Sequence, residues 1–163
     1  MHPNATLLTN LFTALGRHDA AAMAACYRED ASFTDIAFHL SGSPRIHAMW
    51  QMICETDIRA KFEIVDADDR AGRVKLVDDY TFSDTMRPVH NVIDSRFVFR
   101  EGRIAEHIDS CDERLWAEQA LGGVKGFLAG RFRFLRAQKA SEKLDAFIER
   151  SPELKRVIVS EPR

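Results

Sequence analysis

Between Asn4 and Leu15 the apolar side chains Leu7, Leu8, Leu11, Phe12 and Leu15 recur at the spacing of one helical face, so this segment is predicted as an amphipathic helix. Gly16 offers a left-handed stop, and Asp19 is placed to cap a second, alanine-rich helix from Ala20 to Tyr27. The period then shortens. Ala31 to Ile36 reads as a strand and Ser41-Gly42-Ser43-Pro44 as a turn. Ser43 and Pro44 read as N-cap and first residue of a third helix, whose Ile46, Met49, Trp50 and Ile53 share one face up to about Thr56. From Lys61 onward the period falls to two. Phe62, Ile64 and Asp66 alternate with Glu63 and Val65, and Val74, Leu76 and Asp78 with Lys75, Val77 and Asp79. Asn91 to Phe99 and Ile104 to Asp109 repeat the pattern. The turn signals Asp68 to Gly72, Ser83 to Pro88 and Glu101-Gly102 are short enough to join these four strands as antiparallel hairpins. Asp112 is predicted to cap a fourth helix carrying Leu115, Trp116, Gln119 and Ala120, which Gly122-Gly123 ends, and a last helix lies near Ser141 to Glu149. The order α-α-β-α-β-β-β-β-α gives an α+β domain, a cone of helices packed in a curved, mainly antiparallel sheet. Residues 1–122 are assigned to the cone and residues 123–163 to a C-terminal helical extension of the same domain.

Composition narrows the function. A chain of 163 residues with 45% hydrophobic residues can bury a core without disulfide or metal staples. Its 23 Lys and Arg against 25 Asp and Glu, net charge −2, leave no basic surplus for a nucleic-acid surface. Cys26, Cys54 and Cys111 are odd in number and form no Cys-x-x-Cys pair, which fits a reducing compartment. Met1-His2-Pro3-Asn4 carries no positive segment ahead of an apolar run, and no apolar run reaches membrane-spanning length. The expectation is a cytoplasmic protein with neither nucleic-acid nor membrane partner.

Four segments, in order, carry a family likeness. Tyr27-Arg28-Glu29-Asp30-Ala31-Ser32-Phe33-Thr34-Asp35 resembles the tyrosine, acidic pair, alanine, hydrophobic, aspartate signature of the nuclear transport factor 2-like superfamily, which includes ketosteroid isomerase and the SnoaL-like polyketide cyclases. Leu40-Ser41-Gly42 ahead of the Ile46 to Trp50 helix is similar to its glycine-led helix entry. Phe97-Val98-Phe99-Arg100-Glu101-Gly102-Arg103-Ile104 resembles its Phe-x-Phe hairpin, and Glu106-His107-Ile108-Asp109 the His-x-Asp pattern of SnoaL-like members. The resemblance spans residues 4–121. It implies a cystatin-like or nuclear transport factor 2-like cone with a mostly apolar pocket, a homodimer, and activities from isomerase, cyclase, hydratase and epoxide hydrolase to plain binding.

Asp35 falls where the resemblance places the base of ketosteroid isomerase. Walled by Phe33, Ile36 and Phe38, its carboxylate would lose solvation and gain basicity; alternatively it ends the strand and accepts loop amide hydrogen bonds. The oxyanion-hole residues of that enzyme are missing: Leu11 stands at the tyrosine position and Ser95 at the aspartate position, with Asp94 on the other face. Steroid isomerisation is therefore not expected. His107 and Asp109 lie two apart on one strand and so face one way, with Asn91 and Ile93 beside them. They form either a dyad in which the carboxylate orients the imidazole, or a polar plug in the cone. Three N/O groups close in sequence, His107, Asp109 and Asp112, lack the spacing of a metal site, and neither metal nor organic cofactor is expected. Trp50 and Trp116 serve as core or as ligand platform, and Tyr27 as a network residue behind the carboxylate strand. His39, His47 and His90 read as loop or surface residues. Arg131, Arg133 and Arg136 interleave with Phe132, Phe134 and Leu135, a stretch read as a docking helix or dimer contact.

The leading expectation is an enzyme acting by proton transfer or water addition on a small apolar or carbonyl-containing ligand. Its catalytic residues would be Asp35, His107 and Asp109, and its binding residues Tyr27, Phe33, Trp50, Asn91, Ser95 and Trp116. The alternative is a non-catalytic binding or dimeric scaffold module. On the outer sheet face Val92, Asp94, Arg96 and Val98 alternate away from the core, which points to a homodimer contact there.

Overall fold

The computed structural model describes residues 1–123 and 133–159, without the side chains of residues 133–135. Two helices, α1 (Pro3–Gly16) and α2 (Ala20–Ala24), precede β1 (Tyr27–Thr34) and β2 (His39–Ser41), and α3 (Ser43–Cys54) follows. The strands β3 (Arg59–Ala67), β4 (Ala71–Phe82), β5 (Arg87–Arg100) and β6 (Arg103–Cys111) form the meander, and α4 (Glu113–Leu121), α5 (Arg133–Arg150) and α6 (Pro152–Val159) close the described chain. The six strands make one curved sheet in the order β2-β1-β6-β5-β4-β3. Every pairing is antiparallel except β1 with β6, which is parallel. Among the described residues no helix is long and apolar enough to cross a membrane.

The α+β cone is as expected, and the predicted stripe of α1 is its filling. Leu8, Leu11, Phe12 and Leu15 are fully buried against the concave face of the sheet. Phe12 meets Phe62 of β3 at 5.4 Å and Phe97 of β5 edge-on at 6.1 Å. Gly72 sits where α1 crosses β4: a Cβ there would stand 2.9 Å from Leu8 and 3.0 Å from the Phe99 ring, so the close approach needs a residue without a side chain.

Several local expectations change. The alanine-rich helix stops at Ala24, and Tyr27 opens β1, because the sheet claims its side chain for the interior. The turn after α1 is made by His18 in the left-handed region, φ 55°, and not by Gly16. His18 is held there by its own imidazole, whose two nitrogens lie 2.8 Å from the carbonyl oxygens of Cys54 and Ile58. The N-cap of α3 is Gly42, φ 90°, with no side-chain cap bond, so Ser43 is the first helical residue and not the cap. The turn before α3 contains the extra strand β2, paired with β1. A register shift between Ile64 and Asp66 turns Asp66 outward. The last helix runs far longer than Ser141 to Glu149, and α6 follows it. The caps Asp19 and Asp112 are where expected, accepting from Ala22 N at 2.9 Å and Leu115 N at 3.0 Å.

Gly72→Ala should cost about 1–3 kcal/mol by overpacking the α1–β4 crossing, read as a lower urea midpoint with an unchanged slope.

Candidate active site

The interior face of the sheet is apolar for most of its width and then turns polar at one end. Burial alternates along β4 and β5, so Val74, Leu76 and Asp78 point inward from one strand, and Asn91, Ile93, Ser95 and Phe97 from the next. The register sets Asp78 opposite Asn91 and Ser95 opposite Asp109, while His107 lies between Phe97 of β5 and Phe33 of β1.

His107 is fully buried and satisfied at both nitrogens. Its Nδ1 lies 2.7 Å from the Tyr27 hydroxyl, which accepts from Trp50 Nε1 at 3.2 Å, and its Nε2 lies 2.8 Å from Asp109 Oδ1. An ionised carboxylate can only accept, so the Nε2 proton belongs to the Asp109 bond and Nδ1 accepts from Tyr27. Were Nδ1 protonated, the Tyr27 hydroxyl would receive two donors and its own proton would lack an acceptor. The polar chain thus runs one way, Trp50 to Tyr27 to His107, with His107 in turn donating to Asp109. Burial pushes the Tyr27 phenol well above its ordinary range, which keeps it a donor. Phe33 at 4.8 Å and Phe97 at 4.3 Å wall the imidazole.

Asp35 follows β1 in a tight turn. Its Oδ1 accepts from Ala37 N at 2.7 Å and Phe38 N at 2.6 Å, so the loop-anchoring role is real. The crowding of its carboxyl nevertheless wins. Burial pushes Asp35 up to about 6 against those two amides, with the Asp109 charge adding and His107 opposing. As a residue Asp35 keeps some accessible surface, so the lost solvation is a property of the carboxyl's own surroundings.

The sequence reasoning missed Asp78. It is 7% exposed, its Oδ1 has no hydrogen-bond partner among the described residues, and burial followed by the charges of Asp109 and Asp79 pushes it up to about 7. The signal was present: an aspartate in the apolar phase of an alternating strand. Tyr80, two residues on, accepts from Trp116 Nε1 at 2.7 Å, and burial pushes its phenol to about 12. Asn91 hydrogen-bonds the Cys111 sulfur, whose thiol burial pushes up to about 11. The Ser95 hydroxyl is fully buried and unpartnered among the described residues.

The structure therefore gathers Tyr27, Phe33, Trp50, His107 and Asp109 into one hydrogen-bonded and aromatic group, with Asp35 and Asp78 in electrostatic reach of Asp109. Trp116 stands apart from it, in a smaller cluster with Val89, Ala117 and Ala120, and joins through Tyr80. Leu11, at the position of the missing tyrosine, is core and offers no donor. Among the described residues no group of three or more His, Cys, Asp or Glu is arranged to hold a metal ion. At the rim Arg136 of α5 donates to Ile36 O at 2.8 Å and Glu113 at 3.0 Å, and its guanidinium lies over the Trp116 ring. Arg131 and Phe132, and the side chains of Arg133, Phe134 and Leu135, lie outside the described residues.

The family profile described as SnoaL-like domain matches residues 8–107. A proposed polyketide cyclase from Xanthomonas campestris pv. campestris is similar in fold, with a TM-score of 0.62 and 19% identity over 72% of this chain and 96% of its own. So is an LEH-like epoxide hydrolase of M. tuberculosis, TM-score 0.60 and 16% identity over 78% of this chain and 96% of its own. A protein with a ketosteroid isomerase-like fold from Catenulispora acidiphila DSM 44928, in complex with trimethylamine, gives a TM-score of 0.61 and 13% identity over 70% of this chain and 91% of its own. No curated protein sequence matches the chain.

Asp35 and Asp78 hold their protons above the ordinary carboxylate value of 3.8, so the folded state binds more protons than the unfolded one and stability falls as pH rises through about 6 and about 7. Asp78→Asn removes its share. The variant should be more stable than the parent by roughly 2–4 kcal/mol near pH 8, by less near pH 5, and little changed near pH 3, in melting curves across pH.

Proposed function

The chain belongs to the SnoaL-like domain family, and from that premise we propose that it is a small-molecule enzyme that moves a proton, or adds water, on an apolar, oxygen-bearing substrate held at the polar end of the concave sheet face. The observation that carries this reading is a division of labour among carboxyls. Asp109, bound by the His107 Nε2–H, is held in one orientation and acts as the base. Asp35 and Asp78, pushed up to about 6 and about 7, hold protons to higher pH than ordinary carboxyls, and Asp78 keeps one to give near neutral pH. Pairs of carboxyls with separated proton affinities are how one pocket supplies both an acid and a base. The unpartnered Ser95 hydroxyl and the Tyr80 phenol offer further hydrogen bonds to a substrate oxygen. The likeness to a proposed polyketide cyclase and to an LEH-like epoxide hydrolase supports the same class, since ring closure and epoxide opening both need a proton delivered to oxygen while another group takes one from carbon or water.

Turnover of small epoxides and enones, followed by chromatography, tests the assignment. Asp109→Asn should lower kcat by about 10²-fold or more with KM nearly unchanged, and the rate should follow an apparent pKa between about 5 and 7 belonging to the coupled carboxyls. Rates within a factor of about two in both Asp109→Asn and Asp35→Asn would leave a binding module as the reading.

The outer sheet face is proposed as a homodimer contact. Val92 is 58% and Val98 37% exposed there, and Asp94 is held between Arg73 and Arg96, so the face is both apolar and ordered. Light scattering at micromolar concentration should give about 37 kDa, twice 18.5 kDa; a monomer mass excludes this contact.

A further inference from the structure

The C-terminal helices build a second concavity that the candidate active site does not use. A cavity of about 1200 Å³ opens between the α1–α2 corner, the outer face of α3, the end of α5 and α6. None of Asp35, Asp78, His107 and Asp109 lines it. Two buried polar atoms belonging to its lining, His47 Nε2 and Gln51 Oε1, have no hydrogen-bond partner among the described residues. Their residues are four apart on α3 and therefore neighbours on one helix face. A buried polar group without a partner is a standing cost that an arriving ligand atom can remove.

The rest of the lining says which atom. Phe147 and Leu154 are buried apolar walls. Arg17, Arg150 and Arg156 stand around the opening, and among the described residues none of them makes an ion pair or a side-chain hydrogen bond, whereas Arg28, Arg45, Arg73, Arg96, Arg114 and Arg136 are all paired. Of the acids in the same lining, Asp19 is spent on the α2 cap, and neither Glu55 nor Glu153 pairs with the three guanidiniums. Burial holds His47 toward its neutral form, in which Nε2 can carry the single proton. A half-turn of the Gln51 amide presents its NH2 at the same place, so both side chains can donate to one acceptor group.

We propose that this cavity binds a small amphipathic carboxylate, whose head accepts hydrogen bonds from His47 and Gln51 and whose apolar body lies against Phe147 and Leu154. The free guanidiniums raise the local concentration of such an anion at the opening. One wall of the cavity, with Phe147, Arg150, Leu154 and Arg156, comes from helices beyond residue 107, where the family match stops, and the other, with Arg17, His47 and Gln51, lies within the match. The site therefore forms where the C-terminal helices meet the shared cone, and it stands or falls apart from the proposed catalysis.

Calorimetric titration of the full chain with octanoate, 1-octanol and octyltrimethylammonium tests it. Octanoate should saturate one site with a Kd below about 1 mM, and the neutral and cationic analogues should bind at least about tenfold more weakly. The double variant Arg17→Glu, Arg156→Glu and the single variant His47→Leu should each weaken octanoate binding by about tenfold or more, with melting curves verifying that both are folded. The arginines are exposed, so the double variant keeps the test open even if His47→Leu fails to fold. Absence of saturable octanoate binding, equal binding of 1-octanol or the ammonium, or unchanged octanoate binding in the double variant overturns the proposal.

Discussion

An imidazole placed at the centre of an apolar cone must find partners for both nitrogens, and much of this molecule is arranged around that requirement. His107 projects from β6 among Phe33, Phe97 and Trp50, where no water reaches it. Tyr27 and Asp109 supply the two partners, and Trp50 supplies the donor that completes Tyr27. Four side chains from β1, α3 and β6 are thereby fixed relative to one another. A one-residue slip of β1 against β6 would break the Tyr27–His107 bond and leave a buried phenol and one imidazole nitrogen without partners, so the polar chain also favours the observed register of these two strands.

The same chain explains why the carboxyls differ. Among the described residues Asp109 has a hydrogen-bond donor from within the cone, Asp35 has only backbone amides, and Asp78 Oδ1 has neither. Burial first, and the nearby Asp109 charge after it, discourage Asp35 and Asp78 from ionising. Three aspartates of one chemical type acquire different states from their surroundings alone. The titration belongs to the set, because changing the charge on Asp109 changes both neighbours.

Legibility in the sequence followed the length scale of the cause. The α1 stripe, the alternation of β4 to β6 and the caps Asp19 and Asp112 depend on neighbours a few residues away, and they were readable. The alanines before Tyr27 favour a helix locally, whereas a partner far along the chain, His107, draws it into a strand. The short strand β2 likewise exists only because β1 is there to pair with it. His18 takes the left-handed turn that the sequence assigns to Gly16, since two carbonyls from distant segments hold its ring. Asp78 shows in the alternation of β4 as an acid in the apolar phase, but what makes it distinctive, burial beside Asp109, depends on strands far along the chain. Trp116 faces inward as read, but it packs in its own small cluster and hydrogen-bonds toward the site through Tyr80.

The parallel pairing of β1 with β6 has a consequence for how the chain comes together in time. Tyr27 and His107 are separated by 80 residues, and the hairpins of β3 to β6 must be laid down between them before the bond can close. During synthesis β1 and the helices before it therefore wait with an unpaired edge and an uncovered apolar face. Their final partner is among the last strands to emerge. A high contact order of this kind makes assembly a single late event, in which the cone closes only when β6 slots between β1 and β5. The exposed interval before that event is when this protein is most open to misassociation.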